Sequence, residues 1–184
     1  VVYLIDLGRG ETLGSSSRIN AQVTLGVDVI SRIKYCTDIE DGFKIMQEAI
    51  VTELNSLITI LLMKNQRNPE DILSMVVTGN TTMLHLFAGI SPVTMGYLPF
   101  APVSTFGYYA EAGQMGLVLS KASVFLPDCI SSFVGGDITT AILYSGLLKS
   151  EETSLLLDIG TNGEVVLGNI HGLLATSTAA GPAF

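Results

Sequence analysis

The chain opens on an apolar run, Val1 to Asp6, followed by Leu7-Gly8-Arg9-Gly10-Glu11 and a second stretch from Thr12 to Asn20. Glycines suit the positive φ of a tight reversal, so this pattern predicts a β-hairpin. From Phe43 the apolar residues Phe43, Met46, Ile50, Leu54, Leu57, Ile58 and Leu61 recur at helical spacing, with Glu48, Thr52, Glu53 and Thr59 between them. One long amphipathic helix from near Glu40 to near Asn65 follows. Asn68-Pro69 punctuates the chain, Ile72 to Val77 predicts a short strand, and after Thr78-Gly79-Asn80 helical spacing resumes over Thr81 to Ala88. Residues 91–116, with Pro92, Pro99, Pro102 and glycines from Gly96 to Gly116, predict an ordered loop excursion without a regular element. Ala122 to Leu126 predicts a strand. Gly135-Gly136-Asp137 predicts a turn opening a helix from Ile138 to Leu148, and Leu155–Ile159, Val165–Leu167 and Leu173–Thr176 predict a meander.

The order strand, strand, helix, strand, helix, strand, helix and then fresh strands defines an α/β protein. With one strand ahead of Val1, residues 1–150 match a ribonuclease H-like lobe that ends in the connecting helix 138–148. Residues 151–184 are then the opening meander of a second, similar lobe. No internal sequence repeat accompanies this duplication. The start on a strand and the stop at Gly181-Pro182-Ala183-Phe184 predict a chain cut from a longer protein at both ends.

Composition narrows the function. Only 14% of the 184 residues are charged and 48% are hydrophobic, against about 25% charged in an average domain, which excludes a disordered tail. With 9 Lys and Arg against 17 Asp and Glu, the net charge is −8. No basic stripe is available for nucleic acid or an anionic membrane. Mean hydropathy is high at +0.50, yet the richest apolar run, Leu57 to Met63, is far shorter than the roughly 18–20 residues of a membrane span. Cys36 and Cys129 are far apart and form no C-x-x-C, so neither a zinc knuckle nor an iron-sulfur ligand set is present. No secretory signal pattern is visible, so the expected location is cytoplasmic.

The strongest local signal is Leu155-Leu156-Leu157-Asp158-Ile159-Gly160-Thr161-Asn162-Gly163-Glu164. An apolar strand delivers an aspartate, and a glycine-bearing turn leads into the next strand. Backbone N–H groups of Gly160, Thr161, Asn162 and Gly163 can approach a phosphate in such a turn, with Asp158 holding a hydrated Mg2+ beside it. The alternative is a plain hairpin in which Asn-Gly is a type I′ turn and Asp158 stabilises it. Asp137, after Gly135-Gly136, falls at a predicted helix N-terminus, where an ordinary N-cap is worth about 0.5–2 kcal/mol. Together the two aspartates have a further use: a carboxylate that positions water or metal opposite a phosphate-binding hairpin, the layout of phosphoryl-transfer sites without a P-loop. No G-x-x-x-x-G-K-[ST] exists, and Gly8-Arg9-Gly10 is too short for a dinucleotide fingerprint.

Asp158 to Glu164 resembles the second phosphate motif of the superfamily of acetate and sugar kinases, heat-shock chaperones and actin, and Gly136 to Gly146 resembles its first connecting helix. Asn20-Ala21-Gln22 with Gly26 to Ile33, Gly79-Asn80-Thr81-Thr82-Met83 with His85-Leu86, Pro99-Phe100 and Ser177 to Phe184 resemble more narrowly the ATPase domain of reductive activators of corrinoid proteins. The resemblance implies ATP-dependent reduction of a Co(II) corrinoid protein to Co(I). This uphill step needs ATP binding or hydrolysis to drive a change in the complex. It also implies ATP and Mg2+ as cofactors, and an electron from an iron-sulfur domain outside this stretch. A homodimer is compatible with it.

On that basis the phosphates fall to Gly160, Thr161, Asn162 and Gly163, Mg2+ through water to Asp158, orientation of the attacking water to Asp137, and a far-lobe glycine turn near the nucleotide to Gly181. Asn80 and Thr81 sit at a strand-to-helix turn facing the cleft or the partner, unless Asn80 merely caps its helix. His85 reads as a satisfied histidine, since Ala88 and Gly89 offer no second metal ligand. Asp28 and Arg32, four apart, are spaced to pair on a helix surface. An actin-like scaffold that holds nucleotide without turnover, and a small-molecule kinase, are the competing functions. The kinase would need a substrate pocket from residues 91–116, where Glu111 is the only charged residue.

Overall fold

The computed structural model describes residues 1–160 and 162–179. Strands β1 (Val2–Asp6) and β2 (Glu11–Ser16) form the predicted antiparallel hairpin. The Asp6 carboxylate accepts from the Gly8 and Arg9 N–H groups at its turn. β2 stops short of Asn20 because the chain is drawn away there. The Asn20 side chain accepts from the Gln22 N–H at 2.9 Å, and the fully buried Gln22 amide donates to the Met46 carbonyl at 2.8 Å.

Helices α1 (Val29–Asp38) and α2 (Gly42–Lys64) follow. Asp28 lies outside α1 as its N-cap, its carboxylate accepting from the Ser31 N–H at 2.7 Å while the Ser31 hydroxyl accepts from the Asp28 N–H. That backbone bond holds the Asp28 carboxyl below its usual range. The predicted surface pair with Arg32 does not form. Arg32 is buried, its Nε donating to the Gly26 carbonyl and its Nη1 to the Met83 sulfur. By length and composition α2 is long and apolar enough to cross a membrane, which the short run Leu57–Met63 did not indicate. Here its buried residues Met46, Leu57, Ile58, Leu61 and Leu62 serve a helix packed against β1, β2, α1 and the third helix, α3 (Thr81–Ala88).

β3 (Ser74–Val76) runs parallel to β5 (Ser123–Leu126), and β5 pairs antiparallel on its other edge with β4 (Tyr108–Glu111). β4 corrects the expectation of a purely irregular excursion. Its four residues carry no alternation, and it is a strand because β5 offers it an edge. The main core is built here from Ile58, Leu62, Leu84, Phe87, Ala112, Leu119, Val124 and Leu126. The β1-β2 hairpin is not hydrogen-bonded to this sheet. A cavity of about 950 Å³ lies between β1 and β3, lined by Leu4, Leu61, Met75 and Phe87 among others.

Helix α4 (Gly136–Ser145) starts two residues before the predicted Ile138, and Gly146, at φ +75°, ends it before a single 3-10 turn at Leu147–Lys149. The meander is as predicted but longer: β6 (Ser154–Ile159), β7 (Asn162–Asn169) and β8 (Gly172–Ala179), all antiparallel. Leu156, Val166 and Leu173 on its inner face pack against Val134, Ile138 and Ile142.

Candidate functional site

Two turns that open helices meet, Gly79-Asn80 before α3 and Gly135 before α4. A Cβ on Gly135 would stand 2.6 Å from the Asn80 Cα and the Thr81 nitrogen, so only glycine allows the approach. The Asp137 N–H donates to the Gly79 carbonyl at 3.1 Å, and the Thr78 and Thr140 hydroxyls are 3.0 Å apart. The N-cap position belongs to Gly135 rather than Asp137. Asp137 lies in the first turn, its carboxylate accepting from the Ile138 N–H at 2.9 Å. Burial pushes its pKa up, the Ile138 N–H opposes this, and the charge of Asp158 adds to the rise.

The other residues of these turns are occupied. Asn80 caps α3, accepting from the Met83 N–H at 2.9 Å. Thr81 is fully buried and donates to the Ser131 carbonyl at 2.6 Å. Thr81 therefore faces neither cleft nor partner, which corrects that assignment. His85 is satisfied, as the sequence indicated. It is fully buried, with Nδ1 2.7 Å from the Thr81 carbonyl, Nε2 accepting from the Ser104 N–H at 3.2 Å, and its ring edge-on to Phe106. Burial lowers its pKa, and with Nε2 accepting from Ser104 it is Nδ1 that donates to the Thr81 carbonyl.

The polar end of the meander faces Asp137. Strand register sets Asp158 opposite Glu164 and Glu164 opposite Ser177, and residues directly opposite share a face. Alternation puts this row on the face of Leu156 and Val166, which packs on α4. The Ser177 hydroxyl donates to Glu164 Oε1 at 2.9 Å. Burial pushes the Glu164 pKa up, the Ser177 hydroxyl opposes it, and the charges of Asp137 and Asp158 raise it further. Asp158 and Glu164 thus share the face of the meander that packs on α4. Among the described residues neither of them, nor Asp137, forms an ion pair with a basic side chain. No three described His, Cys, Asp or Glu side chains stand close enough to bind a bare metal ion.

Glu164 and Ser177 were not assigned from sequence. The signal was present, because a tight hairpin places residues equidistant from its turn opposite each other. The turn itself is shorter than the predicted phosphate cradle. Asn162 and Gly163 already belong to β7, Gly163 opposite Ile159 and Thr178, and the Gly160 N–H donates to the Asn162 carbonyl at 2.9 Å. Thr161 and Gly181 lie outside the described residues.

This architecture agrees with what known proteins resemble it. Residues 1–150 match the RACo middle region and residues 152–184 the C-terminal domain of RACo, the ASKHA domain. The corrinoid activation enzyme RamQ of Eubacterium limosum is 35% identical over 184 residues, covering 100% of this chain and 31% of that protein. A [Co(II) methylated amine-specific corrinoid protein] reductase of Methanosarcina barkeri is 35% identical over 65 residues, 35% of this chain and 12% of that protein. The solved structure of a reductive activator for corrinoid,iron-sulfur protein superposes with a TM-score of 0.94 at 40% identity, covering 99% of this chain and 29% of that one. The chain belongs to the RACo family of corrinoid reductive activators, and its α/β fold is of the actin-like ASKHA type. It spans about a third of the length of the curated relative that it matches throughout.

Proposed function

We propose that this chain is the part of a corrinoid reductive activator that binds and hydrolyses ATP, and that the full-length protein uses this cycle to drive reduction of a Co(II) corrinoid protein to Co(I). The face of the meander that carries Asp158 and Glu164 packs on α4, whose first turn holds Asp137, in a chain whose residues 1–150 and 152–184 match the RACo regions, and this carries the reading. Asp158 and Glu164 stand opposite each other in the strand register with no basic side chain among the described residues paired to either, which supports a hydrated divalent cation beside them. Mg2+ bound there would neutralise phosphate charge. Asp158 would hold the water shell of that ion, and Asp137 at the N-terminus of α4 would orient the attacking water. The turn at Gly160 and Thr161, with Asn162 and Gly163 at the head of β7, would cradle phosphates, with the Gly160 N–H leaving the Asn162 carbonyl to do so. Gly181 would line the nucleotide from the far lobe.

β1 and β3 line one cavity without pairing, and a further strand of the longer protein seated there would complete a ribonuclease H-like lobe over residues 1–150, with residues 151–184 beginning the second lobe. Cys36, on α1, and Cys129, in the loop after β5, are unbridged. Neither fits an iron-sulfur cluster, so the electron-donating cluster belongs to another region of the protein. Free thiols also support a cytoplasmic setting.

The test is calorimetric binding of Mg-ATP to the full-length protein. Tight binding that Asp158→Ala abolishes supports the reading; a folded wild type that does not bind at millimolar ATP removes it. Asp137→Asn should bind nucleotide and lose turnover. Full binding without turnover in the wild type would move the assignment to an actin-like scaffold.

A further inference from the structure

Of the 9 Lys and Arg residues in this chain, all but Arg32 are exposed. Arg32 is 8% exposed, next to the buried Ile33 on α1. A buried arginine is ordinarily paired with a carboxylate, because an uncompensated charge is costly to desolvate. Arg32 has no such pair among the described residues. Its Nε donates to the Gly26 carbonyl at 2.9 Å and its Nη1 to the Met83 sulfur, both neutral acceptors. Burial lowers its pKa, and the charge of Asp28, whose carboxylate is engaged by the Ser31 N–H, opposes this without forming an ion pair. Among the described residues Nη2 has no hydrogen-bond partner, and it is not closed off from solvent. The chain is nonetheless shaped around this side chain, since a Cβ on Gly26 would stand 2.8 Å from the Arg32 Cγ. Tying down one carbonyl and touching a thioether requires no charge, so the retained guanidinium points to an anion that arrives from outside these contacts.

The residue that Arg32 touches lies against the candidate site. Met83 is in the first turn of α3, and a Cβ on Gly79 would be in ordinary contact with its Cβ at 3.6 Å. The Gly79 carbonyl in turn accepts from the Asp137 N–H at 3.1 Å. Only Met83 and Gly79 therefore separate the guanidinium from the seam at which Asp137 stands. We propose that Arg32 is a phosphate-binding residue of the nucleotide site, its open Nη2 edge donating to a phosphate oxygen of ATP. The inference rests on the ATP-binding reading above and names the cation that reading lacks, since Asp137, Asp158 and Glu164 bring only negative charge toward the phosphates. An arginine suits the task because it stays charged when buried and presents its donors as a planar fork. A thioether is a weak acceptor, so Nη1 gives up little in turning to a stronger one.

The experiment measures binding of Mg-ATP and of adenosine to the full-length protein by calorimetry, in wild type and Arg32→Gln. Glutamine keeps an N–H donor for the Gly26 carbonyl and removes the charge. Mg-ATP affinity should fall about tenfold, the loss of one hydrogen bond to a charged group, while adenosine, which has no phosphate, binds as before. Equal loss for both ligands would show that Arg32 only shapes the fold and overturns the proposal. Unchanged Mg-ATP affinity also overturns it and leaves the ATP-binding reading standing; if binding of the corrinoid protein weakens instead, the anion is a carboxylate of that partner. A wild type that does not bind Mg-ATP overturns both readings. Should Arg32→Gln fail to fold, Gly26→Ala decides, because its methyl group displaces the arginine and keeps the charge: Mg-ATP should weaken about threefold relative to adenosine, the loss of one ordinary hydrogen bond, and an unchanged ratio overturns the proposal.

Discussion

The two ends of the molecule are held together to very different degrees. Around β3, β5 and α3 the core draws on α2, on the excursion that carries β4 and on residues as large as Phe87 and Leu126, both nearly inaccessible. The meander rests on α4 through Val134, Ile138, Ile142 and Val166, while Leu155, Leu157, Ile159 and Leu174 remain exposed on its other face. Yet it is the thin end that carries Asp158 and Glu164. The well-packed region borders the candidate site by fixing Asn80 and Thr81, against which the Asp137 turn is seated. A site at such a boundary gains one rigid wall and one wall able to yield, and loops and strands that move on ligand binding come from the less stable parts of a fold.

The largest effect separating the two regions should come from Phe87→Ala, which leaves a cavity in the main core. A loss of about 3–5 kcal/mol in urea unfolding is expected. Ile142→Val, its counterpart beneath the meander, should cost only about 0.5–1.5 kcal/mol. Equal losses would break the comparison.

Gly135→Ala tests the seam between the regions. Its methyl group would press on the Asn80 and Thr81 backbone at 2.6 Å, and forced overpacking typically costs about 1–3 kcal/mol. Because the Asp137 turn must shift, the ATP hydrolysis proposed for the full-length protein should fall more than nucleotide binding. A variant with wild-type stability and turnover would show that the two turns need not touch.

Asn80→Ala should cost about 0.5–2 kcal/mol by removing the cap of α3, with Asn80→Ser recovering most of it. Failure of serine to recover stability would mean that Asn80 does more than cap.

The smallest effect should be a pH dependence on the rigid side. Burial depresses the His85 pKa below its ordinary value of about 6.5, and Nε2 must be unprotonated to accept from Ser104. The folded state therefore binds fewer protons than the unfolded state. This contribution to stability is complete above about pH 6.5 and declines as pH falls below it toward the depressed folded value. Urea midpoints between pH 7.5 and 5 should show the decline, and His85→Phe should flatten that part of the profile. An identical slope in both proteins would place the acid sensitivity elsewhere.

Much of this was legible in the sequence because it depends on local rules. The spacing from Phe43 to Leu61 gave α2 to within a few residues, and the apolar runs around Asp158 and after Asn162 gave the meander. The satisfied state of His85 followed from the lack of a second ligand nearby. Local rules failed where a long-range partner decided. β4 is a strand only because β5 lies beside it, and Arg32 left its surface pair for the Gly26 carbonyl and the Met83 sulfur. Thr81, expected at a strand-to-helix turn facing the cleft or the partner, is buried and bonded to the Ser131 carbonyl, fifty residues away in sequence.

The sequence by itself determined the types of the first hairpin, α2, α3, α4 and the meander, the acidic balance and the two aspartates, because period, composition and turn chemistry act over a few residues. Only the tertiary structure decided that Gly135 seats one turn on the other, and that Glu164 and Ser177 join Asp158 in one row opposite Asp137. Those are facts of register and contact. They depend on which strands pair and how closely two backbones approach, and no window of neighbouring residues contains that information.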